Sequence, residues 1–241
     1  ERIFDRYKFM HAKFMIIDGK MSVIGSDNLS PNSWPSDPKQ DGTFGRRGVV
    51  LITDSMGVTA HLKQIFQADL DEANHHDILI WNPLVTDFGL PLQTYIPAAV
   101  ENWTTYTVGF ATPVTFVGDM TFEVIQAPEN FLNPNEGLFR LLNQAGEGDT
   151  ILVQQQYERL YWGGERDPLN DPNLRLFSYL EAARRGARVE ILLDEFFDNP
   201  ESESGNRATC EWLLGIAKEE RLNLDRKSTR LNSSHDQISY A

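Results

Sequence analysis

The order of strand-type and helix-type segments in the second half of the chain constrains its fold more than any other feature. Three short apolar runs alternate there with three segments of helical periodicity, in the order 121–126 (strand), 135–145 (helix), 150–157 (strand), 174–185 (helix), 189–193 (strand) and 206–219 (helix). This β-α-β-α-β-α order is typical of a mainly parallel sheet flanked by helices. Gly186 follows the second helical segment where helices commonly end. We therefore predict a mixed, mainly parallel α/β fold.

The first part of the chain predicts a hairpin followed by a loop, a strand and a helix. Residues 7–17 are largely apolar with partial alternation, and Asp18-Gly19 is a strong tight-turn signal. The remaining predicted elements are a strand at 21–24, a long loop at 25–47, a strand at 49–53 and an amphipathic helix at 58–72. Irregular sequence with several prolines follows from residue 77 to 119.

The charge balance of the chain restricts the kinds of partner that it can bind. Its 241 residues include 22 Lys and Arg against 35 Asp and Glu, which gives a formal net charge of −13. Nucleic-acid phosphates are bound through Lys and Arg, so nucleic acid is an unfavourable partner. No run of 18 consecutive apolar residues is present, and we expect no integral membrane segment. Cys210 is the only cysteine and cannot form an internal disulfide.

One constellation in the predicted hairpin carries chemistry. The string H-x-K-x4-D-x6-G-S-x-N consists of His11, Lys13, Asp18, Gly25, Ser26 and Asn28. On a strand, His11 and Lys13 would share one face, and Met10, Ala12 and Phe14 would take the other face against the core. The hairpin would return the G-S-x-N residues beside the polar face, so that four polar groups converge on one small anion.

These residue types suit phosphoryl transfer. The imidazole of His11 can attack phosphorus and form a phospho-histidine. Lys13, Ser26 and Asn28 can bind the non-bridging oxygens, and Gly25 allows a close backbone approach. Neither a cysteine nor a second histidine stands nearby at a metal-ligand spacing, so we expect chemistry without a metal or other cofactor.

The string resembles the HKD motif of the phospholipase D superfamily at all six positions. The resemblance implies a pseudo-symmetric α/β architecture of two repeats, each with one motif, in which one histidine is the nucleophile and the other the general acid. It implies that His11 is the nucleophile and that Lys13, Ser26 and Asn28 bind phosphate. Asp18, the third residue of the catalytic motif, would organise the site without carrying a proton. The superfamily works without a metal.

The chain has no second full motif. His61 precedes Lys63 by two residues, but the position of the aspartate holds Ala68, and the segment is predicted to be helical. We therefore expect two truncated repeats. The expected division is residues 1–76 as the C-terminal half of a first repeat with the motif, 77–120 as a connection, 121–225 as the N-terminal half of a second repeat, and 226–241 as a non-native or disordered polar tail.

The second motif is expected from a missing part of a longer parent chain, because the sequence begins without Met and enters the polar tail after Asp225. The alternative is a one-motif enzyme that completes its site by dimerising. Sequencing the parent gene beyond the codon for Asp225 should reveal a second H-x-K-x4-D. An open reading frame that continues without this string would contradict the two-motif expectation.

Further candidate residues lie in the second half. Gln154, Gln156 and Glu158 alternate along a predicted strand, where they suit either a second-repeat ligand site or a solvated edge. The remaining candidates are Asp194 and Glu195 at a strand end, which could hydrogen-bond a catalytic imidazole, and Tyr161 and Trp162, which suit the core better than lipid contact. The Gly45-Arg46-Arg47-Gly48 stretch lacks an acidic residue that many superfamily members carry there.

The leading functional prediction is a phospholipase D-type enzyme that hydrolyses a phospholipid to phosphatidate and a head-group alcohol. A cardiolipin-synthase-like phosphatidyltransferase would use the same residues with an alcohol as acceptor. A nuclease of the superfamily is disfavoured by the net charge. A catalytically incomplete piece of an enzyme, or a scaffold with a lost site, is the remaining alternative. Neither the compartment nor the head-group preference follows from the sequence.

Overall fold

A computed structural model describes residues 10–28, 48–71, 73, 112–194, 202 and 205–229, with the backbone alone for residues 226–229. The chain divides into two compact units, residues 1–124 and 125–241. One three-stranded sheet lies in each unit within these described ranges. The predicted loop at 29–47 and most of the predicted connection, 77–111, lie outside the described residues.

The sheet of the first unit is antiparallel. It contains β1 (Phe14–Ile17), β2 (Met21–Gly25) and β3 (Val50–Thr53) in the order β1-β2-β3. Asp18 and Gly19 join β1 to β2 with positive φ angles of 54° and 64°, and the Lys20 N–H donates to the Ile17 carbonyl at 3.0 Å. Two successive positive φ angles match the twist of a tight hairpin. The predicted hairpin is therefore confirmed.

One helix follows this sheet in the described part of the first unit. It is α1 (Met56–Leu70), and the Ser55 hydroxyl caps it by accepting a hydrogen bond from the Val58 N–H at 3.4 Å. Val58 and Leu62 are buried, and a buried hydrogen bond of 2.8 Å joins the Thr59 and Ser22 hydroxyls. This bond places α1 against the face of β2 that carries Ser22. The helix predicted from residue 58 is confirmed and begins two residues earlier.

The second unit contains the predicted alternation of strands and helices. Its elements in chain order are α2 (Gly137–Gln144), β4 (Thr150–Gln155), α3 (Leu174–Arg184), β5 (Arg188–Asp194), α4 (Asn206–Glu220) and β6 (Leu224–Thr229). The strands are parallel, in the order β4-β5-β6. The mixed α/β class with a parallel sheet and helices is therefore confirmed.

The core of this unit forms on one face of β5. Val189, Ile191 and Leu193 are buried there, as alternation along a strand requires. Side chains from all three helices of the unit complete the same cluster, among them Leu142, Leu176, Leu180 and Leu213. On the opposite face of the sheet, Leu152 is 73% exposed and Gln154 is exposed as well.

The strand predicted at 121–126 is wrong. Phe122 and Ile125 are 37% and 39% exposed, and no strand of the described residues pairs with this segment. The Gln126 N–H donates to Asn130 Oδ1 at 2.8 Å, and the Asn130 N–H donates to the Gln126 carbonyl at 3.0 Å. The backbone thus runs into a turn. Apolar composition favours a strand only where a neighbouring strand supplies hydrogen bonds.

Strand β6 was not predicted. It pairs in parallel with β5 from Val189 opposite Leu224 to Asp194 opposite Thr229. The boundary expected after Asp225 therefore falls inside a strand. Leu224, the first residue of this strand, is buried in the core. A parallel ladder is built from backbone groups, so the polar sequence that follows can complete it.

Substitution of two glycines in the second unit should change the stability in opposite directions. Gly186 ends α3 with φ +99°, its N–H donates to the Ala183 carbonyl at 3.0 Å, and a Cβ there would lie 3.2 Å from Glu147 Cα. We expect Gly186→Ala to lower the free energy of unfolding by about 1–2 kcal/mol. Gly215 lies inside α4 with open space around it, so Gly215→Ala should raise that free energy by roughly 1 kcal/mol.

Urea unfolding followed by circular dichroism measures both changes. If both substitutions changed the free energy of unfolding by the same amount in the same direction, the positive φ angle assigned to Gly186 at the end of α3 would be contradicted.

Candidate active site

The hairpin register brings part of the predicted motif together at one end of the first sheet. The Gly25 N–H donates to the Lys13 carbonyl at 3.0 Å, one position beyond the last strand pair, Phe14 opposite Ile24. Ser26 follows at once, and its N–H donates to the Val49 carbonyl at 3.1 Å. Lys13 and the G-S-x-N residues therefore meet where β1 begins and β2 ends.

A cavity opens at this end of the sheet. Its volume is about 310 Å³, which is at the small end for ligand sites. Polar side chains in its wall come from Lys13, Asp27 and Asn28. The rest of the lining is apolar or glycine and consists of Ala12, Phe14, Met15, Val23, Gly25 and Val50. An ammonium, a carboxylate and an amide thus line an otherwise largely apolar space.

Lys13 and His11 are directly connected. The Lys13 ammonium donates a hydrogen bond of 2.6 Å to the carbonyl oxygen of His11. His11 is exposed and directly precedes Ala12, the first residue of the cavity wall. The bond holds the Lys13 ammonium against the backbone of His11.

The expected placement of His11 on a strand is wrong. Strand β1 begins at Phe14, and Met10, which was expected against the core, is 65% exposed. The reason is the length of the neighbouring strand. β2 ends at Gly25, opposite Lys13, and β1 is an edge strand of its sheet, so residues 10–12 have no ladder partner within the described residues.

Ser26 takes a different position from the one expected of a phosphate ligand. The Ser26 Oγ accepts a hydrogen bond from the Val49 N–H at 3.0 Å and lies 3.5 Å from the Val49 carbonyl. It does not line the cavity, whereas Asn28 does. The serine thus ties the G-S-x-N loop to the start of β3, and Asn28 is the polar motif side chain of that loop which lines the cavity.

Asp18 lies away from the other motif residues. It is in the turn at the opposite end of the hairpin, five residues after Lys13. At about 3.3 Å per residue, five residues of strand separate the two by roughly 16 Å. Its backbone adopts φ +54°, a conformation that Asp tolerates better than most residues. The structure therefore places Asp18 where it shapes the hairpin.

The residues of the predicted second-repeat site are not brought together. Gln154 and Gln156 are exposed, whereas Glu158 is completely buried. Strand β4 ends at Gln155, so the alternation that was expected to align all three stops before Gln156. Gln155 faces the interior, and its Nε2 donates to the Tyr179 hydroxyl at 3.5 Å.

Glu158 is the centre of a buried polar network. Arg175 donates two hydrogen bonds of 3.0 Å to its carboxylate, one from Nε and one from Nη2, and Asn173 Nδ2 donates a third at 2.6 Å. Bidentate charge-assisted bonds of this kind are among the strongest side-chain contacts. Burial, followed by the charge of Glu158, raises the pKa of the Tyr179 hydroxyl above its ordinary value. The phenol therefore stays neutral.

Asn206 closes the carboxyl ends of two neighbouring strands. Its Nδ2 donates to the carbonyls of Gln156 at 2.8 Å and Asp194 at 2.6 Å, and its Oδ1 accepts from the Glu158 N–H at 3.0 Å. Thr209 Oγ1 donates to the Glu158 carbonyl at 2.8 Å. Ligands of parallel sheets commonly bind at this edge. Here protein groups already satisfy the backbone between β4 and β5.

Sequence reasoning missed the residues of this network other than Glu158. Asn173 was detectable as an N-cap, because it stands directly before an apolar helical run and accepts hydrogen bonds of 3.1 Å from the N–H groups of Arg175 and Leu176. Its contact with Glu158, fifteen residues earlier, carries no local signal.

The other sequence candidates occupy the edges of the second unit. Tyr161 is half-buried and forms a bridge with Pro172, and Trp162 is 42% exposed. Asp194 is the last residue of β5. Glu195 and the Gly45-Arg46-Arg47 part of the departure from the superfamily pattern lie outside the described residues.

The fold and the site define a mixed α/β protein with a histidine, a lysine and an asparagine at one end of a hairpin, an arrangement suited to an anionic ligand. Residues 1–70 match the model of the PLD-like domain of cardiolipin synthase. The match, which covers less than half of the chain, supports a relation of this segment to the phospholipase D superfamily, whose members generally act on phosphodiester bonds. No curated protein matches the chain.

The described residues contain neither a helix that could span a membrane nor a candidate metal site. No helix there has both the length and the apolar character needed to cross a membrane. Within the same ranges, no three His, Cys, Asp or Glu side chains are grouped so that they could hold a metal ion.

The buried network predicts a large effect of one arginine on stability. Arg175→Met removes the partner of a carboxylate that is 0% exposed, so we expect the free energy of unfolding to fall by about 3 kcal/mol or more. Arg207→Met breaks an exposed pair with Glu211 and should cost at most about 0.5 kcal/mol. Urea unfolding measures both. Equal effects of the two substitutions would show that the Glu158 carboxylate is not held by Arg175.

Proposed function

We propose that this chain carries the nucleophilic half of a phospholipase D-type active site, which cleaves a phospholipid to phosphatidate and a head-group alcohol. The observation that carries the proposal is the cavity at the open end of the hairpin. Lys13 and Asn28 line it, and Lys13 is bonded to the backbone of His11. Three residues of the H-x-K and G-S-x-N strings thus share one location in a segment that the superfamily model matches.

The first chemical step forms a covalent intermediate. A ring nitrogen of His11 attacks phosphorus, the bond from phosphorus to the alcohol oxygen breaks, and the phosphatidyl group becomes attached to the imidazole. The Lys13 ammonium and the Asn28 amide stabilise the charge on the non-bridging oxygens. The departing alcohol takes up a proton from a general acid, the role that the superfamily assigns to its second histidine.

The second step decides between two activities. Attack by water on the phospho-histidine releases phosphatidate, whereas attack by the hydroxyl of another lipid transfers the phosphatidyl group. The matching family model describes the PLD-like domain of cardiolipin synthase, and this description makes phosphatidyl transfer the second candidate activity. Both reactions use the same residues in the first step, so the acceptor alone distinguishes them.

The other motif residues support the site from a distance. We propose that Ser26 fixes the G-S-x-N loop to β3 through its hydrogen bond with the Val49 N–H. Asp18 keeps the hairpin in register from the opposite end. A nuclease of the superfamily is a weaker candidate, because a chain of net charge −13 repels a polyanion.

The test uses a substrate that needs no general acid. Phosphatidyl-p-nitrophenol releases p-nitrophenolate, a stable anion, so histidine attack can be followed even without a second motif. We expect a phosphatidyl adduct on His11, detected by mass spectrometry at neutral pH, and release of p-nitrophenolate in the presence of EDTA. His11→Ala should lower the rate by at least about 10³-fold.

A matched control is available in the same unit. His61 also stands two residues before a lysine, but it lies on α1, and His61→Ala should retain both the adduct and the release. Phosphatidylglycerol added as acceptor separates transfer from hydrolysis by the product formed. An adduct that persists in the His11→Ala variant would overturn the assignment of the nucleophile.

A further inference from the structure

Asp27 lines the cavity together with Lys13 and Asn28. It occupies the variable position of the G-S-x-N string, to which neither the motif nor the proposed chemistry assigns a role. Its side chain is half-buried, as is that of Lys13. A carboxylate in the wall of a phosphate site is unexpected, because like charges repel more strongly in a partly desolvated space than in water.

The two opposite charges in the cavity wall form no ion pair with each other. The Lys13 ammonium donates to the His11 carbonyl at 2.6 Å. In the part of the chain that the structure describes, the Asp27 carboxylate has neither a hydrogen bond nor an ion pair. The cavity therefore presents one positive and one negative group to whatever enters it.

The backbone around Asp27 is fitted to this carboxylate. A Cβ on Gly48 would overlap the Asp27 carboxyl group, so the carboxylate lies directly against the Gly48 backbone. Val49, the next residue, is tied to Ser26 through two hydrogen bonds, one to the backbone and one to the hydroxyl. The loop that carries Asp27 is thus held at Ser26, directly before the aspartate, against the start of β3.

A zwitterion is the ligand that satisfies both charges. A simple anion would be attracted by Lys13 but repelled by Asp27. A simple cation would be attracted by Asp27 but repelled by Lys13. We propose that Asp27 selects phosphodiesters whose alcohol carries a cationic amine, with the phosphate at Lys13 and the amine at Asp27. This inference rests on the proposed function for the position of the phosphate.

The experiment compares two water-soluble diesters that differ in the alcohol. Glycerophosphocholine carries a cationic alcohol, and glycerophosphoglycerol carries a neutral one. Binding to the full chain is followed by NMR of ¹³C-methyl methionine, because Met15 lines the cavity, whereas Met56 lies at the start of α1. We expect the choline diester to bind about tenfold more tightly at low ionic strength.

Substitutions at Asp27 and Asp54 test whether the preference depends on the Asp27 charge rather than on folding of the chain. Asp27→Asn keeps the shape of the side chain and should abolish the tenfold preference, with the glycerol diester bound as tightly as before or more tightly. Asp27→Glu should restore part of the preference. Asp54→Asn removes the same charge just after Thr53, at the opposite end of the sheet from the cavity, and should leave the preference unchanged.

The outcomes distinguish this inference from the function on which it rests. If Lys13→Ala weakens both diesters but the wild-type chain binds them equally, the phosphate site stands and the role of Asp27 is overturned. If Asp27→Asn weakens both diesters alike, Asp27 does not recognise the amine, and the inference is again overturned. If neither diester shifts the Met15 signal, the proposed phosphate site and this inference both fail.

Discussion

The register of the β1–β2 hairpin is the constraint on which the candidate active site depends. Positive φ angles at Asp18 and Gly19 set the turn, and the ladder then runs from Ile17 opposite Met21 to Lys13 opposite Gly25. A slip of one residue would move every side chain of β1 to the other face of the sheet. The cavity exists because the turn, which lies at the far end, holds this pairing.

A different interaction organises the second unit. The Glu158 carboxylate is removed from solvent and held by three hydrogen bonds from Arg175 and Asn173. Such a group costs free energy unless every lone pair finds a donor, so the network specifies how the segment after β4 packs. Asn206 connects the same segment to the ends of β4 and β5. The polar residues at this edge therefore serve the fold.

The sequence predicted most elements because their patterns are local. The turn at Asp18-Gly19, the helix end at Gly186 and the buried alternation of β5 each depend on neighbouring residues. The strand predicted at 121–126 and the missed strand β6 depend on partners, which a local pattern does not reveal. Lys13 and Gly25 belong to one hairpin, so the motif predicted that they lie side by side. The burial of Glu158 depends on residues farther along the chain, and the sequence did not predict it.

Charge acts at two scales in this chain, and the local scale decides the ligand. A net charge of −13 disfavours a polyanion such as DNA, whose binding adds one unfavourable interaction for every phosphate near the surface. A single diester group needs only one cation, and Lys13 supplies it within a small cavity. Adding Asp27 to the same wall shifts the balance further, because it penalises a second negative charge and rewards an adjacent positive one. The net charge of the chain and the charges in the cavity wall thus both favour the proposed ligand, which carries one phosphodiester.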